Sequence, residues 1–326
     1  MMNRISIAVP VYNQASTIEK TIESLLKQEV APYEIVVSEN HSTDGTKEIL
    51  EKFGDKIRIV RPESHLGMAQ NWNFCVSQCS GEWVGMCSGD DLLLPNYIKE
   101  VHSASQNCTP ETVFILGGWR VDNKILNEVS NRFVLSMGKQ TKGLKALRLF
   151  LESPRASFAA YCFKRETFIK IGGFNTDYYL YQDWIFQFQI AMHGDFYNIK
   201  KVIAQYNIVE RVEISRQRMY LHVKDILLFI SDTIWEAVPM GVNKRTVERQ
   251  IKKHLKNLLF YLLRNKVELK IEERNTLKSI SVKVSSFDLY ENWEKGIITN
   301  PSESFFSIAI KNTRQKVRNV IQYLVG

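Results

Sequence analysis

The sequence predicts an α/β fold: a parallel sheet with helices on both faces, followed by a mainly helical C-terminal extension. Three observations predict it. Strand-like and helix-like patterns alternate through the first half of the chain. Clusters of polar residues fall where the strands end, the edge at which open sheets of this kind bind ligands. Beyond Val212 the apolar spacing becomes helical and stays so.

The elements follow in order. Residues 5–10, apolar at every position but Ser6, read as a buried strand. Ser16 and Glu19 have capping-box spacing, and Ile18, Ile22, Leu25 and Leu26 supply one apolar helix face behind them. Residues 33–38 read as a second strand, and 42–53 as a turn leading into a helix. Residues 57–61 read as a third strand, 68–78 as a helix and 82–88 as a fourth strand. After about residue 110 the alternation loosens. Residues 112–116, 159–163 and 202–206 look like further strands, and a helix is expected over 183–192 after the Gly172-Gly173 break. In the last third, Ile251, Leu255, Leu258, Leu259, Leu262 and Leu263 share one apolar face, with Lys252, Lys253 and Lys256 outside it. The expected boundary divides residues 1–210, a ligand-binding α/β domain, from 211–326, a basic helical extension.

Composition sets the class. The 326 residues are 44% hydrophobic and 24% charged, ordinary for a globular protein with a sizeable core. No run of about 18 apolar residues is present, and the start lacks the pattern of a signal peptide. A cytoplasmic protein is therefore expected. Five cysteines, with no C-x-x-C pair, point to neither a disulfide framework nor a zinc site. The net charge of +8 is unevenly spread: residues 211–326 carry a net +9 and the first 210 a net −1. That extension suits an anionic partner. Near the end, Val317, Val320, Ile321, Leu324 and Val325 follow helical spacing beside Lys311, Arg314, Lys316 and Arg318. This pattern fits an amphipathic helix on an anionic membrane surface, or one packed against protein. No nucleic-acid motif accompanies the charge, so nucleic acid is not the expected partner.

The strand-end clusters carry the chemistry. Pro10-Val11-Tyr12-Asn13 ends strand one, Glu39 to Gly45 strand two, and Ser88-Gly89-Asp90-Asp91 strand four. Adjacent carboxylates repel unless a cation or solvent offsets them. Magnesium or manganese takes such ligands together with phosphate oxygens. Alternatively, Asp90 and Asp91 are turn residues before the helix that follows Pro95.

Pro10-Val11-Tyr12-Asn13, Ser42-Thr43-Asp44-Gly45-Thr46, Asp90-Asp91 before Pro95, Gly172-Gly173-Phe174 and then Asp183 resemble, in order and spacing over residues 3–207, glycosyltransferase family 2. The resemblance implies a Rossmann-like nucleotide-sugar transferase domain of the GT-A type. It implies an inverting transferase that uses a nucleotide-diphosphate sugar, expected to be a UDP-sugar, and a divalent metal, Mn or Mg. Pro10, Tyr12 and Glu39 would line the base and ribose, and Asp90 would lie near the ribose and sugar. Asp91 would bind the metal, and Asp183 would be the catalytic base. The expected acceptor is a lipid-linked glycan in surface polysaccharide synthesis. The segment 67–73, with Asn71-Trp72-Asn73, is similar to one branch of the family.

Three positions depart from the pattern. Ser88 stands where a first Asp is frequent, Glu39-Asn40-His41 replaces Asp-Asp-Gly, and Gln182 replaces a Glu before Asp183. The alternative reading is a non-catalytic sugar-nucleotide-binding or assembly protein on the same fold. Further candidates are His41 and His65 for phosphate, Trp72 and Trp119 for a sugar face, and Arg155, Lys164 and Arg165 for an acceptor phosphate. For each, ordinary loop, core or surface duty is the competing reading.

Overall fold

The computed structural model describes residues 3–208, 216–265, 267–283 and 290–291. The chain divides into two compact units, Met1–Ile214 with Glu236–Asn243, and Ser215–Trp235 with Lys244–Gly326.

The first unit opens with β1 (Ile5–Val11), α1 (Ile18–Leu26), β2 (Glu34–Glu39), α2 (Thr46–Glu51), β3 (Arg58–Val60), α3 (Met68–Ser77) and β4 (Trp83–Met86). Then come β5 (Leu92–Leu93), α4 (Tyr97–Asn107), β6 (Thr112–Asn123), β7 (Glu128–Arg132), β8 (Gln140–Thr141) and α5 (Gly143–Phe150). It continues with β9 (Tyr161–Lys164), α6 (Arg165–Lys170), α7 (Gln182–Ile190) and β10 (Asp195–Ile208). The sheet runs β3-β2-β1-β4-β9-β6-β10-β5, with β7 beside β6 and β8 beside β10.

The first four strands are parallel, as the alternation predicts. Every residue of β1 is buried, Ser6 included, which explains why the rest of the strand is apolar. The second half adds antiparallel pairing to the parallel sheet that the alternation of the first half predicts. β9 lies antiparallel between β4 and β6, while β6 and β10 pair in parallel. Periodicity reports burial of a strand's faces and not its direction, so an inserted antiparallel strand leaves no mark in it.

The expected capping box at Ser16 does not form. The helix starts at Ile18 with Thr17 at its N-cap, and no side chain caps it. The nearby hydroxyls hold the loop after β4 instead. Thr17 Oγ1 donates to Gly89 O at 2.8 Å, and Thr21 Oγ1 lies 3.1 Å from Gly89 O and 2.9 Å from Asp91 O. Helix α1 thereby anchors the Asp90-Asp91 backbone.

Helix α7 rests on an aromatic core. Phe186 packs 4.4 Å from Phe174 and 4.9 Å from Phe163, ring centre to ring centre. All three are fully buried, and each contributes about 1.5–3 kcal/mol by leaving water. This core fixes the helix that carries Asp183.

The second unit contains α8 (Arg216–Ser231), α9 (Lys244–Asn265) and α10 (Ile271–Lys283). Ile251, Leu255, Leu258, Leu259 and Leu262 are buried along α9, while Lys252 and Lys253 are exposed. The amphipathic helix expected over 317–325 lies outside the described residues. Among the described residues no helix is long and apolar enough to cross a membrane.

Candidate active site

Two cavities open side by side beyond the carboxyl ends of the parallel strands. One, of about 390 Å³, is lined by Pro10 at the end of β1 and Tyr12 just after it, Asn40 after β2, His65, and Asn71 and Trp72 of α3, among others. The second, of about 380 Å³, includes Asp91, Trp119, Arg155, Phe158, Asp183 and Tyr206 in its wall. Ser88 and Asp90 line both. Five of the six expected site residues therefore meet in this pair of cavities, although Asp183 lies far from Pro10 in sequence.

Glu39 is the exception. It is 1% exposed and lines neither cavity. Its Oε1 accepts the Ser42 amide at 2.5 Å, and its Oε2 lies 3.0 Å from Arg61 Nε. In this structure the carboxylate shapes the turn after β2. That turn reaches the β1 end, where the Asn13 amide donates to Ser42 Oγ and the Ala15 amide to Asp44 Oδ2.

Asp90 and Asp91 are not helix caps, since Asn96 holds the N-cap position of α4. Burial raises the pKa of Asp90. Burial, and then the charge of Asp90, raise Asp91 well above the usual carboxylate range. The Asn207 amide offsets part of this by donating to Asp91 Oδ1 at 3.3 Å, and Asn207 Nδ2 donates to Asp90 O at 2.6 Å. No local pattern in the sequence singles out Asn207, because it reaches the pair only through the path of β10.

A divalent cation fits this pair on chemical grounds. Two neighbouring carboxylates that are costly to ionise gain most from a cation, and among the described residues no basic side chain is paired with either. Among the described residues no group of three or more His, Cys, Asp and Glu could enclose a metal by itself. The arrangement matches a metal held by one or two carboxylates and completed by phosphate oxygens.

Asp183 lies in the first turn of α7. Tyr181 takes the N-cap position, so the carboxylate is not spent on capping. Burial pushes its pKa up to about 6, opposed by the Trp184 amide, which donates to Oδ1 at 2.7 Å. Gln182 turns inward, donating through Nε2 to Tyr178 O at 2.7 Å.

The remaining candidates separate cleanly. His65 lines the first cavity, 4.5 Å from the Tyr12 ring, with Nδ1 at 3.0 Å from Asn40 O. His41 instead faces Pro62 O at 2.9 Å. Trp72 lines the first cavity and also packs 4.4 Å from Phe158, while Trp119 lines the second. Arg155 reaches the second cavity, but its guanidinium is bound to Leu149 O and Glu152. Lys164 donates to Pro110 O, and neither it nor Arg165 lines either of these two cavities.

Residues 6–165, which carry both the first cavity and the Asp90-Asp91 loop, match the profile of glycosyl transferase family 2. They form a family 2 glycosyltransferase domain. Relatives and folds agree with the match. This domain is similar to the UDP-Glc:alpha-D-GlcNAc-diphosphoundecaprenol beta-1,3-glucosyltransferase WfgD of Escherichia coli. They are 28% identical over 131 residues, which is 40% of this chain and 50% of WfgD. The fold matches S. aureus TarS 1–349 in complex with UDP-GlcNAc at a TM-score of 0.64 and 16% identity, over 90% of this chain and 91% of that one. It also matches the mannosyltransferase PcManGT of Pyrobaculum calidifontis, in complex with GDP-Man and Mn2+. There the TM-score is 0.53 at 16% identity, over 91% of this chain and 87% of that one. At such identities the likeness is one of fold: the family 2 domain has a GT-A-like α/β architecture. The chain spans less than two thirds of the length of the curated relatives it matches.

Proposed function

We propose that this chain transfers a sugar from a nucleotide-diphosphate donor, a UDP-sugar, to an acceptor hydroxyl with inversion at the anomeric carbon. The observation that carries this reading is the shared wall at Asp90, which joins a nucleotide-sized cavity to one holding Asp183. In this reading Pro10, Tyr12 and His65 face the nucleoside, and Asp90 faces the ribose and sugar. Asp91, with Asp90 beside it, would hold a divalent metal, Mn or Mg. When bound, such a metal supplies positive charge that stabilises the leaving diphosphate. Glu39 contributes through the turn it holds.

Asp183 sits in the wall of the cavity an acceptor would enter. Its raised pKa makes it a stronger base than an ordinary carboxylate, yet one still ionised at neutral pH. It takes the proton from the acceptor hydroxyl as the oxygen bonds to the anomeric carbon and the bond to the diphosphate breaks. One displacement through an oxocarbenium-like state inverts the centre. Proton spectra recorded during turnover of an α-linked UDP-sugar should show a β-linked product from the first minutes. An α-linked first product would contradict the single displacement.

For the acceptor we propose a lipid-linked glycan of surface polysaccharide synthesis, reached from the inner face of a membrane. Support comes from the diphosphoundecaprenol in the name of the relative WfgD and from the basic final third of the chain. The peripheral contact would run through the amphipathic pattern over 317–325. Deleting residues 305–326 should weaken binding to vesicles rich in anionic lipid by about 10-fold or more. Undiminished binding in a sedimentation assay would assign that segment to protein packing instead.

A further inference from the structure

Helix α3 works on two sides. On one, Asn71 lines the first cavity and accepts Ser38 Oγ at 2.6 Å, tying the helix to β2. On the other, Asn73 grips the backbone of a single residue, Phe174, in the segment before α7. Its Nδ2 donates to Phe174 O at 2.9 Å, and its Oδ1 accepts the Phe174 amide at 2.8 Å. Gly173 makes the approach possible: its φ is +79°, and a Cβ there would stand 2.5 Å from Asn73 Oδ1.

The grip leads to the second cavity. The Phe174 ring packs 4.4 Å from Phe186, which lies one turn beyond Asp183 on α7. Trp72, beside Asn73, packs 4.4 Å from Phe158 and edge-on at 5.1 Å from Phe174, ring centre to ring centre. Phe158 lines the Asp183 cavity, and Trp72 lines the other. A contiguous set of contacts thus joins the wall that would hold the nucleotide to the helix that bears the base. Asn73 itself lines neither cavity.

We propose that Asn73 is a positioning residue: its paired hydrogen bonds to the Phe174 backbone hold α7, and with it Asp183, in register with the α3 wall of the donor cavity. The proposal rests on the transferase reading for its catalytic consequence and on geometry alone for its structural one. A side chain that satisfies both the donor and the acceptor of one residue fixes distance and orientation together. Removing it frees the turn to shift, and a displacement of about 1 Å at a reacting group can cost on the order of 100-fold in rate.

The test is Asn73→Ala in the full chain, read by hydrogen exchange, by UDP binding and by turnover. The expected result is exchange at least about 10-fold faster in α7, with β1 and β2 unchanged, since the Phe174 backbone loses both of its hydrogen bonds to the side chain. UDP affinity should stay within about 2-fold, while kcat falls roughly 10–100-fold. Asn73→Asp keeps the acceptor for the Phe174 amide and should recover part of both exchange protection and kcat. Unchanged exchange and kcat in Asn73→Ala would overturn the proposal. So would a loss of UDP affinity as large as the loss of kcat, which would mark a general loosening. Faster α7 exchange in the variant, alongside a wild-type chain that binds no nucleotide and transfers no sugar, would overturn only the transferase reading.

Discussion

Asp183→Asn should lower kcat by about 10²–10⁴-fold, the usual contribution of a general base, while UDP affinity stays within about 2-fold. The amide keeps the oxygen that accepts the Trp184 amide and removes only the capacity to take a proton. In the wild type, kcat should fall as pH drops through about 6, where Asp183 becomes protonated. Asp90, Asp91 and Arg155 share the cavity with it, and Tyr161 senses its charge, so the limb describes this group of residues together. Stability should move the opposite way from activity. The folded pKa is raised, so the folded state holds the proton more tightly than the unfolded state. The ionised group therefore costs stability that is intact below about 3.8 and lost as pH rises to about 6. Asp183→Asn should be more stable than the wild type at pH 7.5, by roughly 1–3 kcal/mol, with the gap closing toward pH 4. Thermal melts at both pH values check this. A variant that turns over normally would remove Asp183 from the chemistry.

Asp91→Ala should have the second large effect, a loss of metal-dependent UDP binding of at least about 100-fold, together with loss of transfer. The variant should not unfold. Asp91 is 2% exposed, and burial with the neighbouring Asp90 charge already opposes its ionisation. Removing it relieves that cost, so the melting temperature should hold or rise. Loss of nucleotide binding with a preserved melt assigns Asp91 to the ligand. Unaltered binding in the presence of manganese would move the metal elsewhere.

Much of this architecture was legible in the sequence. The buried run of β1 and the helical spacing of α1 and α9 appear where their apolar patterns place them. The strand-end clusters could be read because parallel strands put their carboxyl ends on one edge. Pro10, Tyr12 and the Asp90-Asp91 loop are neighbours for that reason alone. What was not legible depends on long-range paths. The antiparallel insertion of β9, the reach of Asn207 to the aspartate pair, and the use of Thr17 and Thr21 to hold the 89–91 backbone have no local signature. Glu39 shows the limit of reading roles from position. It stands at the end of β2 as expected, yet its carboxylate is engaged by Ser42 and Arg61 and does not face either cavity.

A nucleoside diphosphate is proposed to bind across the two cavities, with a metal at Asp90 and Asp91. Calorimetric titration of UDP, GDP and dTDP into the protein, with manganese and then with EDTA, tests it most directly. UDP should bind with manganese, EDTA should abolish the heat, and GDP should bind more weakly. A folded protein that gives no heat with any of the three nucleotides would contradict it, and the two cavities would then need a different ligand.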